Sequence, residues 1–218
     1  MSAPVNHRAA ILGSIRSALG SQKAASSIAE EYAAIPRRYA QSSEKDESAV
    51  IELFADRLHE YDAGVYRASA GAIARTIAEI LAGRGKTSLA VPAGVPFEWL
   101  PQGVTFEEAN GFDAYRLDAT QGVLTGCTVA IAETGTIVLQ NAEAQGPRKL
   151  SLVPDYHLCV VHAGQIVATV PEAFARLQAA STLPTTFISG PSATADIEMT
   201  RIKGVHGPRF LDIVIVED

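Results

Sequence analysis

Residues 125–139 read TGCTVAIAETGTIVL, two short apolar runs on either side of a polar Glu-Thr-Gly-Thr step. The runs, Thr128–Ala132 and Thr136–Leu139, are continuously apolar, as strands are when helices cover both faces of a sheet. Gly135 permits a positive φ, so one interpretation is a tight turn or bulge. A second interpretation places Glu133 at the end of a buried strand, where open α/β sheets bind ligands. A carboxylate there can act as nucleophile, general base or hydrogen-bond acceptor.

Further β-prone runs follow the same pattern along the chain. They are Ser88–Val91, His157–Val161, Thr186–Ser189 and Phe210–Val216. Helical patterns lie before and between them: an apolar stripe from Val50 to Tyr61, a second from Ile73 to Leu81, and Pro171–Ala180 with its proline in the first turn. This order of elements predicts an α/β fold with an open, twisted, mostly parallel sheet flanked by helices.

The N-terminal region has a weaker pattern than the rest of the chain. Apolar residues recur at helical spacing from Val5 to Leu19, and Gly20 ends the pattern. The stretch Ser21–Ser43 predicts an extended or partly helical arm. Because the apolar face of this helix and arm has no obvious partner within the domain, we expect that the chain can form a homodimer.

A helix-start signal marks the beginning of the larger domain. Ser43-x-x-Asp46 has the form of a capping box and directly precedes the first strong apolar stripe. We therefore divide the chain into residues 1–43, an N-terminal helix and polar arm, and residues 44–218, the α/β domain.

Composition restricts the function classes. The net charge of −6, from 18 basic and 24 acidic residues, disfavours a nucleic-acid partner. No apolar run approaches the ~18 residues of a transmembrane helix, and no signal peptide is evident, so we expect a cytoplasmic protein with no membrane span. The two cysteines, Cys127 and Cys159, form no C-x-x-C pair, and the five histidines show no H-E-x-x-H spacing. Neither a metal site nor any other cofactor is therefore predicted.

Residues 83–88, GRGKTS, end like a phosphate-binding P-loop. The pattern G-x-x-x-x-G-K-[ST] requires a glycine at the position that Ile80 occupies. A helix also precedes these residues and a strand follows them, which reverses the order of a P-loop. We predict a helix end followed by a polar turn.

The segment Ser189–Glu198 follows a predicted strand and is expected to open a short helix. Gly190 lets the backbone turn, and Ser192 or Thr194 can cap the free N–H groups. A helix N-terminus also attracts an anion such as a carboxylate or phosphate. A purely structural cap explains the same residues.

Other side chains could supply charge or proton transfer. His206 lies in a Gly–Pro loop and could carry a proton, because imidazole titrates near neutrality, or could simply hydrogen-bond the loop. Arg148 could pair with a substrate carboxylate, or with Asp155 or Glu143 in an ordinary ion pair. His157 opens an apolar strand, where a buried, hydrogen-bonded histidine is the simplest interpretation.

Four of these segments occur in the order found in the LUD-domain family. They are Ala132–Thr136, Leu152–His157, Gly190–Glu198 and Gly204–Pro208. The chain resembles this family from Thr125 to Val216, and more loosely over the preceding helices. Within the family it is most similar to the small C-type subunits of bacterial lactate-utilisation operons. The resemblance implies a fold like that of ribose-5-phosphate isomerase, glucosamine-phosphate deaminase and the CoA transferases.

The resemblance also implies a role in oxidising L-lactate to pyruvate beside two iron–sulfur partner proteins. The larger LUD subunit of such systems carries cysteine clusters, which this chain lacks, so the expected role is an accessory subunit without a redox centre of its own. Whether the chain is an enzyme on its own is left open. The alternative is an independent enzyme or binding protein that acts on a carboxylate, phosphate or acyl-CoA ligand through Glu133.

The resemblance also ranks the candidate site residues. Some CoA transferases of the related fold use a glutamate nucleophile, so Glu133 is the first catalytic candidate and His206 the second. The candidates for binding a small anionic ligand are Thr134, Gly135, Arg148, Gly190, Ser192 and Thr194.

Overall fold

The computed structural model describes residues 7–20, 25–178, 182–195, 201–204 and 206–217. By contacts the chain divides into two compact units, Met1–Tyr39 and Ala40–Asp218. Compactness alone does not establish a domain boundary, so the division into residues 1–43 and 44–218 stays a prediction. In these described ranges, no helix is long and apolar enough to cross a membrane.

Three helices come first, helices and strands are then mixed, and strands predominate in the second half of the chain. The α-helices are α1 (His7–Leu19), α2 (Ala25–Ala33), α3 (Glu47–Glu60), α4 (Ile73–Gly83), α5 (Ala114–Asp118) and α6 (Val170–Leu177). The strands are β1 (Gly64–Ala68), β2 (Ser88–Val91), β3 (Thr105–Glu108), β4 (Val123–Thr125), β5 (Val129–Ile131), β6 (Thr136–Gln140), β7 (Tyr156–His162), β8 (Ile166–Val167), β9 (Thr185–Ser189), β10 (Ala193–Ala195), β11 (Arg201–Lys203) and β12 (Phe210–Val216).

Six strands form the main sheet, in the order β1-β12-β7-β4-β2-β3. Every neighbouring pair in it is parallel. The chain runs from β2 outward to β3 and then returns to β4 on the other side of β2, so the strand order reverses between β2 and β4. The predicted α/β fold with a mostly parallel sheet is confirmed.

A second sheet was not anticipated as a separate unit. Its order is β8-β5-β6-β9, with β8 and β5 parallel and the other two pairs antiparallel. Helix α6 packs against β5 and β8 on one side of this sheet. The apolar runs in residues 125–139 therefore form a hairpin of the smaller sheet, while only Thr125 belongs to the main sheet.

The core lies on both faces of the main sheet. Helix α3 covers one face and buries Phe54 and Leu58, while α4 covers the other and buries Ile77 and Leu81. Each such side chain contributes about 1.5–3 kcal/mol by leaving water. These contacts explain why the strands are apolar on both sides.

Helix α3 begins three residues later than the capping-box signal suggests. Asp46 is the N-cap, and its side chain accepts a hydrogen bond from the N–H of Ala49 at 2.7 Å. The Ser43 hydroxyl accepts instead from the N–H of Lys45 at 3.1 Å, in a local turn. The prediction that Ser43 caps this helix is wrong, because the carboxylate of Asp46 stands closer to the first free N–H groups.

The turn predicted at residues 83–88 is confirmed. Helix α4 ends at Gly83, and strand β2 begins at Ser88. Helix α6 begins with Val170, capped by a capping box between Thr169 and Glu172, and ends within the predicted range Pro171–Ala180.

Candidate functional site

The Glu133 turn joins β5 to β6. The N–H of Glu133 donates to the carbonyl of Ala168 at 3.0 Å, and the N–H of Gly135 donates to Ala132 at 3.2 Å. Gly135 has φ +56°, and a Cβ there would lie 2.9 Å from Cβ of Arg57 in α3. The interpretation of this step as a tight turn is confirmed. Only glycine fits, because the turn presses on the C-terminal part of α3.

The carboxylate of Glu133 is exposed at this turn, and within the described residues it has neither a hydrogen-bond nor an ion-pair partner. Its turn lies in the smaller sheet rather than at the carboxyl edge of the main sheet. The side chain is therefore free to accept a proton or a hydrogen bond from a molecule in solution.

A chain of three hydroxyl groups runs beside Glu133. The Thr134 and Thr136 hydroxyls lie 2.7 Å apart, and the Thr136 and Ser189 hydroxyls also lie 2.7 Å apart. The antiparallel pairing of β6 with β9 places Thr136 opposite Ser189. Because each hydroxyl group can both donate and accept a hydrogen bond, these three groups form a continuous hydrogen-bonded row from the Glu133 turn to the next turn, at Gly190.

Gly190 packs against α3 as closely as Gly135 does. It has φ +80°, and a Cβ there would lie 2.4 Å from Cβ of Tyr61. The two glycine turns therefore both rest on the C-terminal end of α3. This shared support holds the Glu133 turn and the Gly190 turn next to each other.

The segment after Gly190 is a strand, and the predicted helix is wrong. Residues 193–195 form β10, which pairs with β11 in an antiparallel hairpin. The N–H of Ser192 donates to Pro208 at 2.8 Å, and its hydroxyl accepts from the N–H of His206 at 3.0 Å. These bonds to the loop after β11 take the place of helix capping. The expected anion site at a helix N-terminus is thereby removed, and residues 196–198 of the predicted helix lie outside the described residues.

His206 is exposed and reaches the Gly190 segment through its backbone bond to Ser192. Thr194 lies in β10, but its side chain is outside the described set. The structure thus brings Glu133, Thr134 and Gly135 together with Gly190. The hydrogen bond between the Ser192 hydroxyl and the N–H of His206 then links the Gly190 segment to His206.

Arg148 belongs to a different part of the molecule. Its Nη1 donates to the buried Ser151 hydroxyl at 3.3 Å, and burial lowers the pKa of its guanidinium. Asp155 is already paired, with Nε of Arg209 at 2.5 Å, so it is not the partner of Arg148. Nothing described joins Arg148 to the Glu133 turn by a hydrogen bond or ion pair.

Next to Arg148 lies a buried polar pair. Nε2 of His157 is 2.8 Å from the hydroxyl of Thr125, while Nδ1 has no partner among the described residues. Burial, and then the charge of Arg148, lower the pKa of His157 to about 4. The imidazole is therefore neutral at physiological pH, and the expectation of a buried, hydrogen-bonded histidine is confirmed.

A cavity that the sequence did not indicate lies where the strand order reverses. It has a volume of about 310 Å³ and is formed by the loops after β2, β3 and β6. Its lining includes Asn110, Glu143 and Lys149 beside apolar residues such as Leu117. Open α/β sheets bind ligands at this position. Glu133 does not line this cavity.

The described residues also include potential metal ligands and two cysteine thiols. No group of three or more His, Cys, Asp or Glu side chains there is placed to hold a metal ion. Cys127 and Cys159 are both buried and unpaired by a disulfide. The neighbouring Cys159 thiol, together with burial, raises the pKa of the Cys127 thiol, which donates to Oε1 of Gln165 at 3.7 Å.

Comparison with known proteins places this fold and these segments in one family. A family model described as the LUD domain matches residues 37–216. A lactate utilization protein C of Deinococcus radiodurans is 42% identical over 170 residues, which cover 77% of this chain and 79% of the relative. One from Shouchella clausii is 36% identical over 100 residues, 44% of this chain and 43% of the relative.

A solved structure gives the same result for the fold. The crystal structure of a DUF162 family protein from Deinococcus radiodurans superposes with a TM-score of 0.69 and 36% sequence identity. The match covers 79% of this chain and 99% of that chain. The likeness therefore extends over almost the whole of that protein.

Proposed function

We propose that this chain, which belongs to the LUD-domain family, takes part in lactate utilisation as an accessory subunit in the cytoplasm. The observation that supports this most is the 42% identity with a lactate utilization protein C over 77% of the chain. The reaction served is the oxidation of L-lactate to pyruvate.

In this proposal, iron–sulfur partner subunits carry the electrons. An iron–sulfur cluster usually needs four cysteine ligands, and this chain has two cysteines, both buried in the core. The accessory chain would bind, position or assemble, without a redox centre of its own.

The Glu133 turn is the proposed working surface. Its exposed carboxylate can act as a base or hydrogen-bond acceptor, and the hydroxyl chain to Ser189 can orient a bound oxygen atom. His206 is the proposed second proton carrier, because it adjoins Ser192 at the far end of the same segment.

The test is L-lactate consumption in cells that lack the gene. Complementation uses the native chain, Glu133→Gln, or Glu98→Gln as a control at another exposed glutamate. The proposal expects the native and control chains to restore consumption and Glu133→Gln to restore little, at equal protein abundance. Unchanged consumption after gene deletion would contradict the pathway role. Full rescue by Glu133→Gln would contradict only the role of the turn.

The partner proposal has a separate readout. An affinity-tagged chain purified from lactate-grown cells is expected to bring down iron-containing proteins, measured by bound iron and visible absorbance. The same preparation from cells lacking the partner genes should contain no iron. Recovery of the chain alone from lactate-grown cells would contradict a stable complex.

A second candidate function is binding or conversion of a small carboxylate, phosphate or acyl-CoA molecule. The cavity at the strand-order reversal favours it, since its volume of about 310 Å³ suits a small ligand and Lys149 supplies a cation. Ligand-induced stabilisation by L-lactate, pyruvate, inorganic phosphate or acetyl-CoA is the measurement. Loss of the effect in Lys149→Gln but not in Glu133→Gln would assign it to the cavity, and the reverse would assign it to the turn.

A further inference from the structure

Strand β9 forms an edge of the smaller sheet, and no other described strand pairs with its outer side. Its sequence, TTFIS, contains no charged residue, and β6 is its one strand neighbour among the described strands. Exposed edges usually carry charges, are very short or are covered, because open N–H and C=O groups pair with other strands.

The other described edges have such protection. Strand β3 ends in two glutamates, and β8 has two residues. Strand β1 carries Arg67, which pairs with Glu52 at 2.8 Å and Glu217 at 3.1 Å. In the two-stranded sheet both β10 and β11 are edges, but each has only three residues. Strand β9 differs from these described edges because it is five residues long and uncharged.

The backbone of β9 presents its free groups outward at every second residue. The N–H of Thr128 donates to the carbonyl of Val138 at 2.9 Å, so the backbone groups of Val138 point toward β5. Phe187 lies opposite Val138, and its N–H and C=O therefore point away from β6. The same alternation turns the groups of Thr185 and Ser189 outward. These outward backbone groups have no hydrogen bond to another described residue.

Two aromatic rings mark the centre of this edge. Phe187 and Phe174 of α6 stack with centroids 5.8 Å apart and an interplanar angle of 28°. They are 46% and 53% exposed, although stacked aromatic side chains gain most when water is excluded. The edge thus combines free backbone groups with an apolar surface.

We propose that a second copy of this chain covers the edge, with the two β9 strands antiparallel about a two-fold axis. Phe187 would face the partner subunit's Phe187, and Thr185 would face the partner subunit's Ser189. The strand is self-complementary, because Thr185 and Ser189 lie symmetrically on either side of Phe187 and the strand carries no charged residue. Helix α6 packs on β5 and β8, on one face of the smaller sheet, and reaches β9 through the ring of Phe174 rather than by pairing with its backbone.

The pairing joins the two smaller sheets into one continuous sheet of eight strands built from two copies of β8-β5-β6-β9. It also places the partner subunit's Thr185 beside Ser189, whose hydroxyl ends the hydrogen-bonded row of hydroxyl groups that begins at Thr134. The proposal does not depend on the proposed role in lactate utilisation.

The first test is the molar mass of the purified full chain, measured over a range of concentrations. The native chain is expected to dimerise, and Phe187→Lys to weaken dimerisation by about tenfold or more, because it removes an aromatic pair and places like charges opposite each other. Phe97→Lys is the control at an aromatic ring that is 85% exposed elsewhere, and should leave the mass unchanged. A monomeric native chain, or equal effects of the two substitutions, would overturn the proposal.

The second test measures the register and stays informative if Phe187→Lys fails to fold. Under mild oxidation, Phe187→Cys should form a disulfide-linked dimer, because directly opposed strand residues have Cα atoms within disulfide range. Thr185→Cys should not, since its opposite residue is Ser189. Cross-linking of Thr185→Cys but not Phe187→Cys would overturn this pairing, as would cross-linking of neither.

Discussion

Arg84 and Asp212 form a two-point ion pair at the amino end of the main sheet. Nε of Arg84 lies 2.9 Å from Oδ2 of Asp212, and Nη2 lies 2.6 Å from Oδ1. The Tyr156 hydroxyl donates to the same Oδ2 at 2.9 Å. Burial and the charge of Asp212 raise the pKa of Tyr156 well above its usual value, so the phenol remains a donor. The carboxylate is fully buried, and these contacts are what makes its charge tolerable there.

Arg84→Met is expected to lower the free energy of unfolding by about 3 kcal/mol, because it leaves the buried Asp212 charge without its counter-charge. Removing one partner of a buried ion pair costs about 3–5 kcal/mol, and we expect the lower value because the Arg84 side chain is 33% exposed. Urea unfolding at neutral pH measures the change. Arg116→Met, which breaks the exposed pair with Glu107, should cost about 1 kcal/mol or less. Equal losses of unfolding free energy for the two substitutions would contradict the greater contribution assigned to the buried ion pair.

Gly64→Ala is expected to disturb the same carboxylate from the neighbouring strand. A Cβ on Gly64 would lie 2.1 Å from Oδ1 of Asp212, so the ion pair with Arg84 must shift to admit it. Overpacking of this kind costs about 1–3 kcal/mol. Gly71→Ala has nothing within 4 Å and should cost far less in the same unfolding measurement. A loss confined to Gly71→Ala would contradict this geometry.

Most of the longer strands with continuous apolar sequence were predictable, although the short, buried strand Val123–Thr125 in the middle of the main sheet was missed. Ser88–Val91 and Phe210–Val216 have the bounds that the sequence indicated. Strands Gly64–Ala68 and Thr105–Glu108 were missed because they lie at the edges of the sheet and carry Arg67, Glu107 and Glu108 on exposed positions. An edge strand needs little apolar sequence, so hydrophobic pattern alone does not reveal it.

The site was only partly predictable for a similar reason. The Glu133 turn follows from local sequence, since Gly135 between two apolar runs indicates a hairpin. The hydroxyl chain depends on the pairing of Thr136 with Ser189, which is 53 positions away. The segment after Gly190 has cap-forming residues typical of a helix start, but its hydrogen bonds go to a distant loop instead. Long-range register decides such features, and one sequence does not contain it.

Asp46→Ala is expected to destabilise the protein by about 1 kcal/mol, because it removes the side chain that caps α3. Ser43→Ala should cost about 0.5 kcal/mol or less, since the Ser43 hydroxyl makes only an exposed local bond. Its N–H, which donates to Glu172 at 2.9 Å, stays in place in this variant. Thermal and urea unfolding of both variants check the order. A larger loss for Ser43→Ala would restore the capping-box interpretation.

His157 gives the protein a specific pH dependence. Its pKa is about 4 in the folded protein and near 6.5 when the ring is in water. Between these values the unfolded chain takes up a proton that the folded chain does not, so unfolding becomes more favourable as the pH falls. The stability that the neutral ring contributes is fully present above about pH 6.5 and is lost progressively down to about pH 4. The loss amounts to about 3 kcal/mol.

The measurement compares urea unfolding of the native chain and His157→Gln from pH 7.5 to pH 4. The variant lacks the titrating ring, so its stability should fall less steeply over this range, and the gap between the two proteins should narrow as the pH falls. His59→Gln changes an exposed histidine in α3 and should keep the native slope. Parallel curves for the native chain and His157→Gln would contradict this prediction, because they would mean that the folded protein takes up the proton as readily as the unfolded chain. The protonated ring would then need water beside Arg148, since Nδ1 of His157 has no partner among the described residues.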